Sequence, residues 1–197
     1  MKILAVHGLW KKSEVFDSFR RYFGGNEFRA PDIDWGAKEE EYLNILDIYA
    51  EKFQPDVIIG YSFGGYAVQR LFERNPNAAR LCVLVAPVGP KGISWRGVWG
   101  CITSPAPKEE EKYFPEKIST LMRVFPGRGK VEKPILVPTL IVSGGEDRFV
   151  SMEDAEKITT FHKATHYHYY DLDHGELASD MGAIYGIKIW LSENIKK

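Results

Sequence analysis

Cysteine is scarce in this chain: two of 197 residues, Cys82 and Cys101, with no Cys-x-x-Cys pair. That excludes a scaffold built on several disulfides and a thiolate metal knuckle. Cys82 lies in the apolar run Leu81-Cys82-Val83-Leu84-Val85, where a free thiol acts as a small hydrophobe, and a disulfide between the two cysteines stays open. A surplus of either charge is also missing, because 26 basic and 27 acidic residues leave a formal net charge of -1. Phosphate neutralisation needs an excess of Lys and Arg, so no nucleic-acid partner is expected. Long hydrophobic runs are absent too. The opening stretch Met1 to Gly8 is too short for a signal peptide or a spanning helix, and no other run reaches membrane length. The expected setting is the reducing cytoplasm, with no membrane partner; the oligomeric state is not legible.

What remains is an ordinary globular mixture, 44% hydrophobic and 27% charged, long enough to bury one core in a single domain spanning 1–197. Periodicity divides it into alternating elements. Ile3 to Val6 reads as a strand ending at His7-Gly8. Val15, Phe16, Phe19 and Phe23 place a helix over Lys12 to Phe23, stopped by Gly24-Gly25. A weak strand over Glu27 to Ala30 precedes an amphipathic helix over residues 37–53. Val57 to Tyr61 is a buried strand, followed by a helix over Gly64 to Arg74 and a strand over Leu81 to Ala86. From Val88 to Pro134 the periodicity lapses into a Gly- and Pro-rich segment with Trp95, Trp99 and the charge run Lys108 to Lys112, the last read as a solvated helix start. Segments of this length inside one domain are usually functional insertions, and 88–134 is read as a small cap-like insertion. Order returns with a strand over Thr139 to Ser143, a helix over Met152 to Phe161, a strand over Tyr167 to Asp171 and a helix over Leu177 to Asn194. Alternating strands and helices predict a three-layer α/β/α sandwich around a mostly parallel sheet of about six strands. There is no internal repeat or low-complexity tract.

The chemistry centres on Gly60-Tyr61-Ser62-Phe63-Gly64-Gly65, between a strand and a helix. A serine there occupies a sharp turn that exposes its hydroxyl above the sheet edge, and the flanking glycines let strand and helix pack closely. The first N–H groups of the helix then face the reaction centre, where negative charge develops. Alone, Gly-x-Ser-x-Gly is weak evidence, and Ser62 has the simpler reading of a helix N-cap. Three further features fall at strand ends. His7-Gly8 closes the first strand, so the Leu9 N–H can join that of Phe63 as a second oxyanion donor. Asp147 follows the strand over Thr139 to Ser143, and His174 follows the strand over Tyr167 to Asp171.

The chain resembles the α/β-hydrolase superfamily from His7-Gly8 to the histidine loop, in the order Ser62, Asp147, His174. Pro31-Asp32-Ile33-Asp34-Trp35-Gly36 is loosely similar to the family's loop after its next strand. The family's usual first two strands have no counterpart, and the cap is small. The resemblance implies a serine hydrolase with Ser62 as nucleophile, His174 as base and Asp147 as the orienting acid, acting on a small-molecule carboxyl ester or related acyl compound without metal or organic cofactor.

Bland readings compete at each position. Glu146, Asp171 and Asp173 rival Asp147, and turn aspartates are commonly turn formers. Among the other histidines, His7 reads as a structural hydrogen-bonder and His162 as a helix-end residue suited to the macrodipole. His166 and His168 read as the exposed face of a strand, since a metal would need a third ligand. Trp10, Trp95, Trp99, Met122 and Phe125 either line an acyl or alcohol pocket or anchor the insertion. Thioesterase, peptidase, perhydrolase and C–C hydrolase chemistry share the triad, and a non-catalytic interaction module shares the fold.

Overall fold

The computed structural model describes residues 1–9, 11–34, 39–90 and 130–196. Within them, six strands run side by side: β1 (Lys2–Val6), β2 (Glu27–Arg29), β3 (Val57–Tyr61), β4 (Leu81–Val85), β5 (Thr139–Gly144) and β6 (Thr165–Tyr169). Their order is β2-β1-β3-β4-β5-β6, and every pairing is parallel. The sheet is therefore wholly parallel rather than mostly so. Parallel strands need covering on both faces, and the sequence supplies it. Leu4, Val6, Ile58, Cys82, Leu84 and Ile141 point to one side, against α2 (Glu39–Phe53), α3 (Phe63–Arg74) and α4 (Met152–His162). Ile3, Ala5, Val57, Ile59, Val83 and Val142 point to the other, against Phe16, Phe19 and Phe23 and against Ile184, Ile187 and Trp190. These last belong to α5 (Met181–Asn194).

Three expected elements are redrawn. The helix over Lys12 to Phe23 is a 3₁₀ turn at Ser13–Phe16 followed by α1 (Asp17–Tyr22). The apolar spacing was right, but eclipsed i, i+3 side chains serve a tight entry as well as α geometry does. The strand drawn over Tyr167 to Asp171 lies two residues earlier, paired from Leu140↔Thr165 to Gly144↔Tyr169. The edge strand Thr-His-Tyr-His-Tyr has no aliphatic alternation to mark its register. The C-terminal helix is broken in two, with a 3₁₀ turn at Glu176–Ala178. The Asp180 side chain then accepts from Ala183 N–H and starts α5 afresh. Among the described residues, no helix is long and apolar enough to cross a membrane.

Most of the insertion, including Trp95, Trp99, Met122, Phe125 and Cys101, lies outside the described residues, but both its roots are fixed. Val131 N–H donates to the Pro90 carbonyl. Gln69, wholly buried on α3, donates through Nε2 to the carbonyls of Gly65 and Val88 at 3.1 and 2.8 Å. Its Oε1 accepts from His162 Nε2 at 3.0 Å, while His162 Nδ1 accepts from Ile135 N–H at 3.0 Å. Arg70 pairs with Glu39 and Glu73, and Glu73 Oε1 accepts from the Glu132 and Lys133 N–H groups. Thus α3, the helix that begins beside Ser62, also holds the segment's exit and return.

His162 is accordingly not the helix-end cation the sequence suggested. It is a buried neutral ring with one nitrogen accepting and the other donating, and burial pushes its imidazole down to about 4. An unfolded chain takes up that proton near pH 6.5, whereas the folded one does not until about pH 4, so stability falls as pH drops through that window. Denaturant midpoints measured between about pH 6.5 and 4 should show this loss, up to about 3 kcal/mol from this group. In His162→Gln the slope should flatten by up to one proton, about 1.4 kcal/mol per pH unit.

Candidate active site

The strand order reverses direction between β1 and β3, since the chain leaves β1 toward β2 and leaves β3 toward β4. Their exit loops diverge and open a crevice at the carboxyl ends of the strands. Ser62 and the His7-Gly8-Leu9 loop both lie there.

Ser62 has φ 55° and ψ −122°, a left-handed conformation that a residue with a side chain rarely adopts. Its surroundings hold it there. Ser62 N–H donates to the Val85 carbonyl at 2.9 Å, and the Ser62 carbonyl accepts from Gly65 and Val88 N–H groups. The glycines allow close backbone approach. A Cβ on Gly60 would come within 2.7 Å of Gly65 Cα, and one on Gly64 would run into the Val6 and His7 carbonyls. A Cβ on Gly8 would lie 2.9 Å from that of Ser62. α3 begins at Phe63, one residue before the predicted start, and the Ser62 side chain makes no capping bond to it. The N-cap reading therefore does not describe what this hydroxyl does.

Instead the hydroxyl meets an imidazole. Ser62 Oγ lies 2.9 Å from His174 Nε2, and His174 Nδ1 lies 2.8 Å from Asp147 Oδ2. The carboxylate accepts from Nδ1–H, which leaves the Nε2 lone pair to accept from the serine hydroxyl. Asp147 is only 3% exposed, and its other oxygen accepts from the N–H groups of Phe149 and Val150 at 2.8 and 2.9 Å. Its rivals Glu146, Asp171 and Asp173 are exposed, and Asp173 is engaged in a reciprocal backbone–side-chain pair with Glu176.

Leu9 is buried beside this group, and no hydrogen bond among the described residues takes up its N–H. The loop carrying it is tied down by His7, whose Nδ1–H donates to the Gly8 carbonyl at 2.9 Å and whose Nε2 accepts from Ile33 N–H at 2.8 Å. Burial lowers the His7 pKa and keeps it neutral for both bonds. Phe63, at the first turn of α3, is buried and packs against Tyr42 and Tyr66. Trp10 lies outside the described residues, as do Trp95, Trp99, Met122 and Phe125.

Two neighbours of His174 escaped the sequence reading. The Phe149 ring stands 4.8 Å from the imidazole, centroid to centroid. Tyr61 lies 5.4 Å from it, and its hydroxyl donates to the His174 carbonyl at 3.0 Å. The one available signal was Tyr61's place directly before Ser62 at the end of a buried strand. His166 and His168 sit apart from this group and are half-buried rather than on an exposed face. Both ring nitrogens, His166 Nε2 and His168 Nδ1, hydrogen-bond to the buried Ser143 hydroxyl, at 2.7 and 2.8 Å. No metal-binding cluster of His, Cys, Asp and Glu occurs among the described residues.

No protein-family model and no curated protein matches the chain in sequence. Solved structures do match in fold. An α/β-hydrolase enzyme, MGS-MChE2, from the metagenome of lagoon sediments of Mar Chica, Morocco, superposes with a TM-score of 0.75 at 16% identity. That match covers 98% of this chain and 91% of the other. The esterase RhEst1 from Rhodococcus sp. ECU1013 gives 0.73 at 14% identity, covering 98% and 91%. A thioesterase domain from the curacin biosynthetic pathway gives 0.65 at 17%, covering 95% and 90%. The chain has the α/β-hydrolase fold.

The strain at Ser62 is measurable. Glycine adopts this φ freely, whereas alanine does not, so Ser62→Gly should be more stable than Ser62→Ala by about 1 kcal/mol. That is the reverse of the usual order in regular structure. Thermal denaturation of the two variants reads it; an alanine variant the more stable of the pair would contradict a strained backbone.

Proposed function

We propose that this protein is a serine hydrolase of carboxylesterase type, cleaving a carboxyl ester or related acyl bond through an acyl-enzyme. The observation that carries the reading is the unbroken hydrogen-bond chain from Asp147 through His174 to Ser62. A free serine hydroxyl is a poor nucleophile at neutral pH and needs a base within reach. His174 Nε2 stands at that distance, with Nδ1–H committed to Asp147.

In this mechanism His174 removes the Ser62 proton as Oγ attacks the carbonyl carbon. Asp147 holds the tautomer and stabilises the imidazolium. The oxyanion is received by the Leu9 and Phe63 N–H groups, each contributing roughly 3 to 4 kcal/mol when aligned. His174 then gives its proton to the leaving alcohol. The imidazole next activates water, which releases the acid and restores Ser62. The sequence of steps needs neither metal nor organic cofactor. The substrate is a small acyl compound, and the 88–134 insertion is the proposed cap over it, with Trp10, Trp95, Trp99, Met122 and Phe125 as its pocket-lining candidates. A cytoplasmic setting belongs to the same proposal.

Thioester cleavage is the second reading, favoured by the thioesterase domain among the structural matches. The triad serves both bonds, so the leaving group distinguishes them. Peptidase activity or a purely protein-binding role would use the same fold.

Ser62→Ala should reduce hydrolysis of short p-nitrophenyl esters to background. Asp147→Asn should lower kcat by about two to four orders of magnitude, because the amide favours the wrong imidazole tautomer. Paired assays with matched acyl thioesters rank the two substrate classes. Wild-type turnover retained in Ser62→Ala would remove that serine from the reaction.

A further inference from the structure

Tyr61 is the residue that directly precedes Ser62, and it has no place in the mechanism above. Strand alternation sends its side chain to the face opposite Ile58 and Gly60, among Ile59, Val83 and Val85. It is 2% exposed, one of the largest fully buried side chains. Its phenol does not end in apolar packing. The hydroxyl reaches across to the loop after β6 and donates to the His174 backbone carbonyl at 3.0 Å, 113 residues away in sequence. The Tyr61 ring also lies 5.4 Å from the imidazole at a 39° tilt, with Phe149 close to the same imidazole at 4.8 Å.

Consider what else holds His174. Its side chain is held at Nδ1 by Asp147 and at Nε2 by Ser62, the hydroxyl whose proton it takes. The Nε2 bond changes partner during a turnover, so it is a poor anchor while the proton moves. The loop around it is braced through its neighbours: Glu146 N–H donates to the Leu172 carbonyl, and Leu177 N–H donates to that of Asp173. At the backbone of His174 itself, the Tyr61 hydroxyl is the hydrogen bond that ties the histidine to the strand carrying the nucleophile. Burial and the nearby Asp147 and Asp173 carboxylates raise the Tyr61 pKa, so the phenol stays protonated and remains a donor.

We propose that Tyr61 is a positioning residue, which fixes the height of the His174 imidazole over Ser62 by bonding its carbonyl from β3. Resting on the hydrolase reading, it names a component of that site beyond the triad and the oxyanion donors. Nucleophile and base are set by one dipeptide: Ser62 presents the hydroxyl, and Tyr61 holds the acceptor's backbone at the matching distance. Small displacements of a base from its proton cost rate steeply, while ground-state binding of a small ester hardly senses them.

The test is Tyr61→Phe, which keeps the buried ring and removes one oxygen. It should lower kcat on p-nitrophenyl acetate by about tenfold with KM within about twofold of wild type. A control for general loosening is Ile187→Val, a buried truncation on α5 distant in role from the site. It should lose comparable or greater stability in denaturant yet keep wild-type kcat. Unchanged kcat in folded Tyr61→Phe overturns the proposal, as does an equal kcat loss in Ile187→Val, or a loss confined to KM. If Tyr61→Phe does not fold, Tyr61→Met, a flexible buried side chain with no donor, replaces it. Its kcat should then fall at unchanged KM, and wild-type kcat there would equally overturn the proposal. A wild-type chain inert toward esters and thioesters defeats the hydrolase reading itself, a failure distinct from an active wild type with an unimpaired Tyr61→Phe.

Discussion

Everything at the candidate site depends on one tight crossing, where β3 stops and α3 begins within a single residue. Ser62 occupies a backbone conformation costing of order 1 to 3 kcal/mol. It persists because the neighbouring chain leaves no alternative: three backbone hydrogen bonds grip it, and Gly60, Gly64 and Gly8 let other backbone come within a side chain's width. A relaxed turn would swing the hydroxyl back toward helix capping, as serine does at ordinary helix starts. The strain keeps Oγ aimed at His174 instead.

The parallel sheet converts that local geometry into a meeting of distant residues. Parallel strands all end on the same edge, so the segments following β1, β3, β5 and β6 emerge together. Leu9, Ser62, Asp147 and His174 each follow one of these ends. The reversal of strand order between β1 and β3 opens space there. α3 adds a second function by fastening both roots of the 88–134 segment through Gln69, Arg70 and Glu73. A shift of this helix would disturb the serine turn and the insertion together.

The strands buried on both faces were legible in the sequence, since Val57 to Tyr61 and Leu81 to Val85 are unbroken apolar runs bounded by turns. That Ser62, Asp147 and His174 would meet was legible because each chemical group stands just past a strand. Legibility failed where the signal depends on tertiary contact. β6 is an edge strand of Thr, His and Tyr, with no aliphatic period to set its bounds. His162 was misread because its partners, Gln69 and Ile135, are 93 and 27 residues away, and only the fold brings them together. The same distance hid the bond from Tyr61 to the His174 backbone, although its position beside Ser62 was plain. The pocket candidates of the insertion lie outside the described residues.

The central claim is that the fold activates one serine among many. The most direct measurement is labelling with a fluorophosphonate at low concentration, followed by mass mapping of the adduct in wild type and in His174→Ala. The account predicts a single adduct on Ser62 that forms orders of magnitude more slowly once the imidazole is gone. No adduct in the folded wild-type protein, or an adduct on another residue, would contradict it.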